Sequence, residues 1–168
     1  VTDDTRMRAA LPTINKVLND GGSVILMSHR GRPKNGPEDQ LSLKHLVDHL
    51  EKLLGRQLHF VTDCVGKDVK EKASSLSEGE VLLLENLRFY KEEEAGDSAF
   101  AKQLSELADV YINDAFGTAH RAHASTAVIA QFFVEKFFGH IMINEIQNIE
   151  KVLTNAQRPL TAIIGGAK

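Results

Sequence analysis

Short apolar runs in this chain end in clusters of glycine, arginine, histidine and lysine. The runs are Val24–Met27, Val81–Leu84, Val110–Ile112 and Thr161–Ile164. Continuous apolar strands separated by helix-length segments predict a parallel sheet that is covered on both faces. Sheets of this kind bind ligands outside the carboxyl ends of their strands. The cationic residues that follow the runs therefore lie where a ligand would bind.

The overall charge makes this concentration of cations informative. The 168 residues carry a formal net charge of -3, so a positive cluster does not follow from a basic composition. Arginine presents a planar fork of N–H donors that matches phosphate and carboxylate groups. The sequence therefore predicts an anionic, phosphorylated small molecule as the ligand.

Composition also indicates the cellular compartment in which we expect the protein. Cys64 is the single cysteine, so an intrachain disulfide is excluded, and no Cys/His spacing suggests a zinc site. The sequence contains no run of about 20 apolar residues that would predict a membrane span. The first residues are polar and acidic, unlike a secretory signal, and an initiator Met is lacking. We expect a cytoplasmic protein, of which this chain is an excerpt.

Hydrophobic periodicity predicts alternating helices and strands. Helices are expected from Asp3 to Leu18 with a bend at Pro12, from Ser42 to Gly55, and over 67–76, 98–107 and 138–153. Strands are expected over 24–27, 58–61, 81–84, 110–112 and 160–164. The alternation is typical of an α/β fold. We expect a three-layer, Rossmann-like parallel sheet with helices on both faces.

The turn Ser28–Pro33 places three potential cations, His29, Arg30 and Arg32, around Gly31. Glycine allows close backbone approach to a ligand, and the arginines suit phosphate. An ordinary solvated basic turn is an equally good interpretation of this segment alone.

Arg88 follows a strand that is expected to be buried on both faces. Its simplest interpretation is an ion pair with Glu85 or with the run Glu92–Glu94, and a ligand contact is the alternative. The glutamate run itself is most simply a solvated helix start or loop.

The segment His120–His123 contains two histidines around Arg121. Metal ligation is disfavoured, because no cysteine lies nearby and Arg121 would repel a cation. A substrate role for Arg121, with His120 and His123 as orienting partners, is more coherent, although His123 alone suits a helix cap. Cys64 is predicted to be a small buried hydrophobe.

Two further segments carry cations at positions that need an explanation. Arg6 and Arg8 lie in the first turn of a helix, where the helix dipole disfavours positive charge. They either pair with Asp3 and Asp4, or one of them reaches a phosphate. The segment Gly165–Lys168 resembles a phosphate-cradling turn but lacks the full P-loop pattern.

Together these sequence segments resemble those of the phosphoglycerate kinase family. The matching stretches occur in family order over the whole chain: 4–14, 26–29, 31–33, 63–66, 83–89, 110–111, 113–125 and 164–168. The segments NDAFGTAHRAHAS (113–125) and LLENLRF (83–89) are the most specific. The resemblance implies the phosphoglycerate-binding N-terminal domain of a two-domain, hinge-bending kinase that transfers a phosphoryl group between 1,3-bisphosphoglycerate and ADP in glycolysis.

The resemblance also implies roles for individual residues. The residues that match the basic patch for 3-phosphoglycerate are His29, Arg32, Arg88 and Arg121. Arg6 matches a residue that stabilises the transferring phosphoryl group, and Lys168 matches a lysine that also meets it. His120, His123, Gly165 and Gly166 are possible supporting residues. No metal ligand is assigned in this chain.

The resemblance further implies an incomplete kinase. The family's Asp-Phe-Asn-Val-Pro strand should precede Val1, and the nucleotide domain should follow Lys168. We expect residues 1–137 to form the N-terminal domain, 138–155 an interdomain helix, and 156–168 the start of the nucleotide domain. Mg2+ with ADP or ATP is expected to bind in the missing part. The isolated segment should be inactive, monomeric, and without nucleic-acid or membrane partners.

Two alternatives from other classes remain open at this point. Arg30 stands where the family usually has an apolar residue, and Arg30–Lys34 matches the core of an AT-hook, which binds the DNA minor groove. A net-acidic chain and an adjacent buried strand argue against this interpretation. The third possibility is a non-catalytic phosphate-binding α/β module.

Overall fold

The computed structural model describes residues 3–34, 36–154 and 158–161, and this part of the chain alternates helices with short strands. Its five strands are β1 (Val24–Leu26), β2 (Leu58–Phe60), β3 (Val81–Leu83), β4 (Tyr111–Asn113) and β5 (Lys136–Phe138). Its six α-helices are α1 (Thr5–Asn19), α2 (Val47–Leu54), α3 (Lys67–Ser74), α4 (Lys91–Ala95), α5 (Ser98–Ser105) and α6 (His140–Thr154). Short 3-10 turns occupy several of the loops.

All strand pairs in the described residues are parallel. β3 lies in the centre of a three-stranded sheet between β1 and β2, and Leu83 is opposite both Leu26 and Phe60. β4 and β5 form a second parallel pair, in which Tyr111 is opposite Lys136. The expected α/β fold with parallel strands is therefore confirmed.

The central strand is buried on both faces, because successive side chains of a strand point to opposite sides. Val81 and Leu83 belong to a core cluster that includes Ile14 and Leu18 of α1 and Leu50 and Leu54 of α2. Leu82 and Leu84 belong to a second cluster that includes Val69 of α3, Phe100 and Leu104 of α5, and Tyr111 of β4. Helices thus cover both sides of the sheet, as the continuous apolar runs predict.

Local signals set several helix ends. The hydroxyl of Ser42 accepts a hydrogen bond from the Lys44 backbone N–H at 3.2 Å, at the start of the 3-10 turn that leads into α2. Gly55 ends α2 in the left-handed conformation, with a φ of 67°, where a side chain would be strained. At the start of α1, the Asp3 carboxylate accepts the Thr5 N–H at 2.9 Å. Pro12 is accommodated inside α1.

The carboxylate of Asp114 joins the start of α6 to the middle of α1. One oxygen accepts the backbone N–H groups of Ile141 and Met142 at 2.8 and 3.2 Å, and the other accepts the Thr13 hydroxyl at 2.6 Å. A Cβ on Gly139 would lie 2.3 Å from the Asp114 carboxyl carbon. This position therefore requires glycine, because the backbone approaches the carboxylate so closely.

The segment before α6 differs from the sequence prediction. A helix was expected from Phe138, but β5 runs through Phe138 and α6 begins at His140. A three-residue strand is too short to show the alternation that identifies strands in a sequence. β5 exists because β4 offers it a parallel partner, which local sequence does not reveal.

Most other predicted boundaries differ by one or two residues, but α2 begins at Val47 and not at Ser42, because Leu43–Leu46 form a 3-10 turn. β1, β2 and β3 end one residue earlier than predicted, and β4 is shifted one residue later. The strand predicted over 160–164 falls mostly outside the described residues, and the structure gives Leu160 and Thr161 no strand conformation. No helix in the described part of the chain is long and apolar enough to cross a membrane.

Candidate functional site

The segments that leave β1 and β3 run side by side at the carboxyl edge of the sheet. The Leu84 N–H donates to the Leu26 carbonyl at 3.0 Å, and the Leu87 N–H donates to the Ser28 carbonyl at 3.1 Å. These bonds extend the pairing beyond the strands themselves. They bring the turn that carries His29 next to the turn that carries Arg88.

The side chain of Asn86 holds these two turns together. It is fully buried, and its amide nitrogen donates to the carbonyls of Arg30 and Leu41 at 2.8 and 3.0 Å. Its amide oxygen accepts the backbone N–H groups of Arg30 and Arg88 at 3.3 and 3.1 Å. A buried amide that uses all of these bonds fixes the relative position of the two turns.

Glu85 fixes the far end of the β1 loop. Its carboxylate is 8% exposed and accepts the Ser42 hydroxyl at 2.6 Å and the Leu43 N–H at 2.8 Å. The Cys64 thiol donates to the Glu85 carbonyl at 3.1 Å and is fully buried. Burial raises the pKa of that thiol, with the Asp63 charge acting in the same direction. Cys64 is therefore a buried structural residue, as predicted.

Arg88 is the most constrained cation of the site. Its side chain is 9% exposed, and its Nη1 donates to the Gly31 carbonyl at 2.9 Å. Its Nε lies 3.2 Å from the Glu94 Oε1. The geometry does not make this contact a hydrogen bond, so the buried Nε–H has no acceptor among the described residues. The predicted ion pair with the glutamate run is present, through Glu94, and a buried donor remains unsatisfied.

The pKa of His29 is lowered by burial of the ring and by the positive charges around it. Its pKa is lowered from 6.5 to about 4, first because the ring is buried and then because of the charge of Arg88. His123 and Arg6 act in the same direction, and Glu94 opposes them. The ring is therefore neutral at pH 7.

Arg6 and Arg8 have different surroundings, which separates the two explanations offered by the sequence. Arg8 Nε pairs with Asp4 at 2.9 Å, so Arg8 is accounted for by local pairing. Arg6 is exposed and has no carboxylate within 4.0 Å in the described ranges. A cation in the first turn of a helix without a local partner is available to an anionic ligand.

Arg32 lies on the turn that carries His29, and Arg121 lies on the loop that follows β4. Both side chains are exposed, and neither has a carboxylate within 4.0 Å in the part of the chain that the structure describes. Arg121 Nε donates to the His120 Nε2 at 3.2 Å, which makes His120 an orienting partner. Arg32 follows Gly31, whose carbonyl holds Arg88. No hydrogen bond joins Arg32 or Arg121 directly to the other site residues described.

Glu93 anchors the loop that carries Arg121, which corrects the prediction that the whole glutamate run is solvated. Glu93 is 2% exposed, and its carboxylate accepts the Ser125 hydroxyl at 2.6 Å and the Ser125 N–H at 3.0 Å. The Glu93 carbonyl accepts the Ala124 N–H at 2.9 Å. His123 is also buried, with its Nδ1 3.9 Å from the Glu93 carboxylate. His123 is thus a partner of Glu93 within the site.

Asn86 and Glu93 were not identified from the sequence as residues that position the loops. Asn86 carried a usable signal, since a polar residue that follows a buried strand must find partners. The expected ion pair of Arg88 with the glutamate run included Glu94, but three adjacent carboxylates look alike in a sequence, so the pattern did not show that Glu93 is buried. Gly165, Gly166 and Lys168 lie outside the described residues. Within the described ranges, no group of three or more His, Cys, Asp or Glu could hold a metal ion.

The candidate site thus combines four arginines with a neutral histidine on helix α1 and on the loops that follow the strands. Its candidate members are Arg6, His29, Arg32, Arg88 and Arg121. Asn86 and Glu93 hold loops of this site in place, and Arg88 is the arginine whose side chain is itself buried and anchored. Such an arrangement offers several N–H donors to an anion. The fold and the site define an α/β domain of parallel strands with helices on both faces and a group of arginines on the loops that follow its strands.

Comparisons with known proteins agree with this class. The sequence model of the family described as phosphoglycerate kinase matches residues 1–168. The chain is 56% identical over its whole length to a phosphoglycerate kinase of Moorella thermoacetica. It is 49% identical to a chloroplastic phosphoglycerate kinase of Volvox carteri. The structure of phosphoglycerate kinase from Coxiella burnetii matches it with a TM-score of 0.85 at 36% identity, over 100% of this chain and 42% of that one.

The chain belongs to the phosphoglycerate kinase family. It spans 42% of the length of the Moorella relative and 36% of the Volvox relative. The family resemblance expected from the sequence segments is therefore confirmed.

Proposed function

We propose that this chain supplies the 3-phosphoglycerate-binding half of a phosphoglycerate kinase. The reaction is the reversible transfer of a phosphoryl group between 1,3-bisphosphoglycerate and ADP, which gives 3-phosphoglycerate and ATP in glycolysis. The observation that carries this proposal is the group of arginines on α1 and on the loops that follow the strands, in which Arg6, Arg32 and Arg121 have no carboxylate within 4.0 Å among the described residues. Family membership supports it independently.

The cations have distinct proposed roles. Arg32, Arg88, Arg121 and His29 bind the phosphate and carboxylate groups of 3-phosphoglycerate, with Arg88 as the fixed member. Arg6, on the neighbouring helix α1, neutralises charge on the phosphoryl group in transfer. Lys168 is proposed to meet the same group, with Gly165 and Gly166 in support. His120 and His123 orient the loop and do not act as bases.

These proposed residue roles suit the chemistry of phosphoryl transfer. The transferring group carries its charge on its outer oxygens, so rate acceleration comes from positioning and charge neutralisation rather than from covalent steps. Guanidinium groups that are fixed before the reaction provide that neutralisation without reorganisation. Mg2+ is expected with ADP or ATP, but the described residues contain no metal-binding cluster.

The proposed organisation follows the family. Residues 1–137 form the substrate domain, 138–155 an interdomain helix, and 156–168 the start of the nucleotide domain; the α-helix itself begins at His140. We propose a cytoplasmic monomer without nucleic-acid or membrane partners. Some relatives are named chloroplastic, so fractionation of source cells is the test of location. The AT-hook and non-catalytic alternatives gain no support from the family matches.

Steady-state kinetics of the complete protein test the proposed roles. Arg6→Ala should lower kcat about 100-fold or more with a smaller effect on substrate affinity, because its contact is made in the transition state. Arg121→Ala should mainly weaken 3-phosphoglycerate binding. Arg8→Ala is the matched control on α1, since Arg8 pairs with Asp4.

Each possible result of these kinetic measurements has a distinct meaning. A normal kcat for Arg6→Ala would show that its assigned role is wrong. An unchanged KM for 3-phosphoglycerate in Arg121→Ala would remove Arg121 from the binding patch. A loss in Arg8→Ala equal to that in Arg6→Ala would mean that both act through the stability of α1.

A further inference from the structure

Arg88 makes hydrogen bonds through its Nη1 and its backbone N–H, but its Nε–H has no acceptor among the described residues. Its Nη1 donates to the Gly31 carbonyl at 2.9 Å, and its backbone N–H donates to Asn86 at 3.1 Å. The side chain is 9% exposed, and its buried Nε–H has no hydrogen-bond acceptor among the described residues. A buried guanidinium N–H without an acceptor is costly in the unliganded protein. It is therefore prepared for an acceptor that arrives from outside.

The carboxylate nearest to this open side belongs to Glu94. Its Oε1 lies 3.2 Å from the Arg88 Nε, but the angle does not make a hydrogen bond. The Glu94 side chain is 52% exposed, and no hydrogen bond in the described structure holds it. It provides charge compensation without satisfying the donor.

The neighbouring residue on α4, Glu93, has a carboxylate that is held in place by hydrogen bonds. Glu93 is 2% exposed and accepts two hydrogen bonds from Ser125. Rotation of the Glu93 side chain would break both bonds, whereas Glu94 can turn into solvent without breaking any described hydrogen bond. The two carboxylates of α4 therefore differ in mobility because one faces the core and the other faces Arg88.

Glu94 also acts on the rest of the site. Among the charges that act on His29, those of Arg88, His123 and Arg6 lower its pKa, and that of Glu94 raises it. Glu94 is thus the negative group within the field of these cations. It occupies a position that favours negative charge, which is the position that an anionic ligand needs.

We propose that Glu94 is a displaceable counter-ion of Arg88, which an incoming phosphate or carboxylate group replaces at the Nε side. The inference rests on the proposed function of the site and adds a specificity residue to it. A ligand that offers a well-aligned acceptor satisfies the Nε–H, while Glu94 moves into solvent. A ligand with weaker negative charge cannot displace Glu94, so the residue selects for strongly anionic groups.

The proposal predicts tighter binding when the Glu94 charge is removed. Glu94→Gln keeps the size of the side chain and eliminates the competing anion. Because Glu94 is 52% exposed, water screens its attraction to Arg88, and screened ion pairs correspond to about a two- to fivefold change in an equilibrium constant. The dissociation constant of 3-phosphoglycerate, measured by calorimetry on the complete protein at low salt, should therefore fall by that factor. Glu92→Gln makes the same charge change on α4 and should leave it unchanged, because no described cation lies within 4.0 Å of Glu92.

A second readout tests the contact without any ligand. The pKa of His29, followed by NMR, should fall further in Glu94→Gln than in Glu92→Gln, since Glu94 raises it in the wild type. An unchanged His29 pKa would mean that Glu94 does not face the site, and it would overturn the proposal. This readout does not depend on what the protein binds.

The binding results distinguish the remaining possibilities. If the wild type binds 3-phosphoglycerate and Glu94→Gln binds it equally or more weakly, Glu94 holds Arg88 in place instead of competing with the ligand. The displacement proposal is then wrong while the proposed function stands. If neither 3-phosphoglycerate nor inorganic phosphate binds the wild type, the proposed function fails and the displacement proposal fails with it.

Discussion

The Asn86 side chain offers the sharpest test of how the site is held together. Asn86→Asp preserves the shape of the side chain and the oxygen that accepts the Arg30 and Arg88 N–H groups. It replaces the amide nitrogen, which donates to the Arg30 and Leu41 carbonyls at 2.8 and 3.0 Å, by an oxygen. The variant therefore removes two specific bonds without opening a cavity.

The expected cost follows from these bonds. Each lost hydrogen bond contributes about 1 kcal/mol net, and a buried carbonyl left without its donor adds about 1 to 3 kcal/mol. Because Asn86 is fully buried, water cannot replace the lost donor. Some of the loss is recovered if the new carboxyl group is protonated and donates once. We expect a total loss of about 3 to 5 kcal/mol in the free energy of unfolding near pH 7.

Urea unfolding followed by circular dichroism measures this loss. Small proteins have m values of about 1 to 3 kcal/mol/M in urea, so with a middle value of about 2 kcal/mol/M the midpoint should fall by roughly 1.5 to 2.5 M. Part of the loss should be recovered below pH 5, when protonation restores a donor. Asn144→Asp, at an exposed position on α6, is the control and should change the midpoint little.

The affinity for 3-phosphoglycerate gives a second reading of the same variant. Both turns joined by Asn86 carry proposed binding residues, so affinity should fall even in urea-free buffer, where the variant is folded. A variant within about 1 kcal/mol of the wild type would refute the reasoning, because two buried bonds should contribute more than that. Equal losses in Asn144→Asp would refute it as well.

Two further perturbations test the electrostatics and the backbone of the site. The lowered pKa of His29, about 4 against 6.5, means that only the unfolded chain binds this proton between those values. Stability should therefore fall as the pH drops from 6.5 to 4, and His29→Gln should reduce the fall seen by urea unfolding. Gly96 has a φ of 66°, and a Cβ there would lie 2.3 Å from the Ala122 carbonyl oxygen. Gly96→Ala should cost about 2 to 5 kcal/mol from backbone strain and overpacking, measured by the same unfolding assay.

Matched variants make these two predictions specific. His45→Gln alters an exposed histidine and should leave the pH dependence between 4 and 6.5 as in the wild type. An identical slope in His29→Gln would contradict a buried, neutral His29. Gly55 has nearly the same φ, 67°, but open space around it, so Gly55→Ala carries only the strain. If Gly96→Ala costs no more than Gly55→Ala, the close approach of the 122 loop is not present in solution.

The sheet was predictable because its central strand is buried on both faces. Val81–Leu84 is continuously apolar for that reason, and its alternate side chains belong to different core clusters. β5 was not predictable, because it consists of three residues and depends on pairing with β4. Whether a short strand forms depends on pairing with a strand that is distant in the sequence, and the local sequence does not indicate that partner.

The sequence indicates the candidate site residues, but it largely does not identify the residues that position their loops. Arg6, His29 and Arg88 follow strand ends or occupy an unfavourable helix turn, and both features are visible in a sequence. Glu93 and Glu94 are chemically identical neighbours with opposite surroundings, 2% and 52% exposed. That difference arises from the rotation of α4 against the Ser125 loop, which is a tertiary property.

Calorimetric titration of the 168-residue chain with 3-phosphoglycerate, at low and moderate salt, tests the central claim most directly. The account predicts saturable binding that weakens with salt, because several guanidinium groups contact the anion. Duplex DNA rich in A·T should show no comparable binding. A folded chain that fails to bind 3-phosphoglycerate, or that prefers the DNA, would contradict the claim that these loops form a prepared phosphoglycerate site.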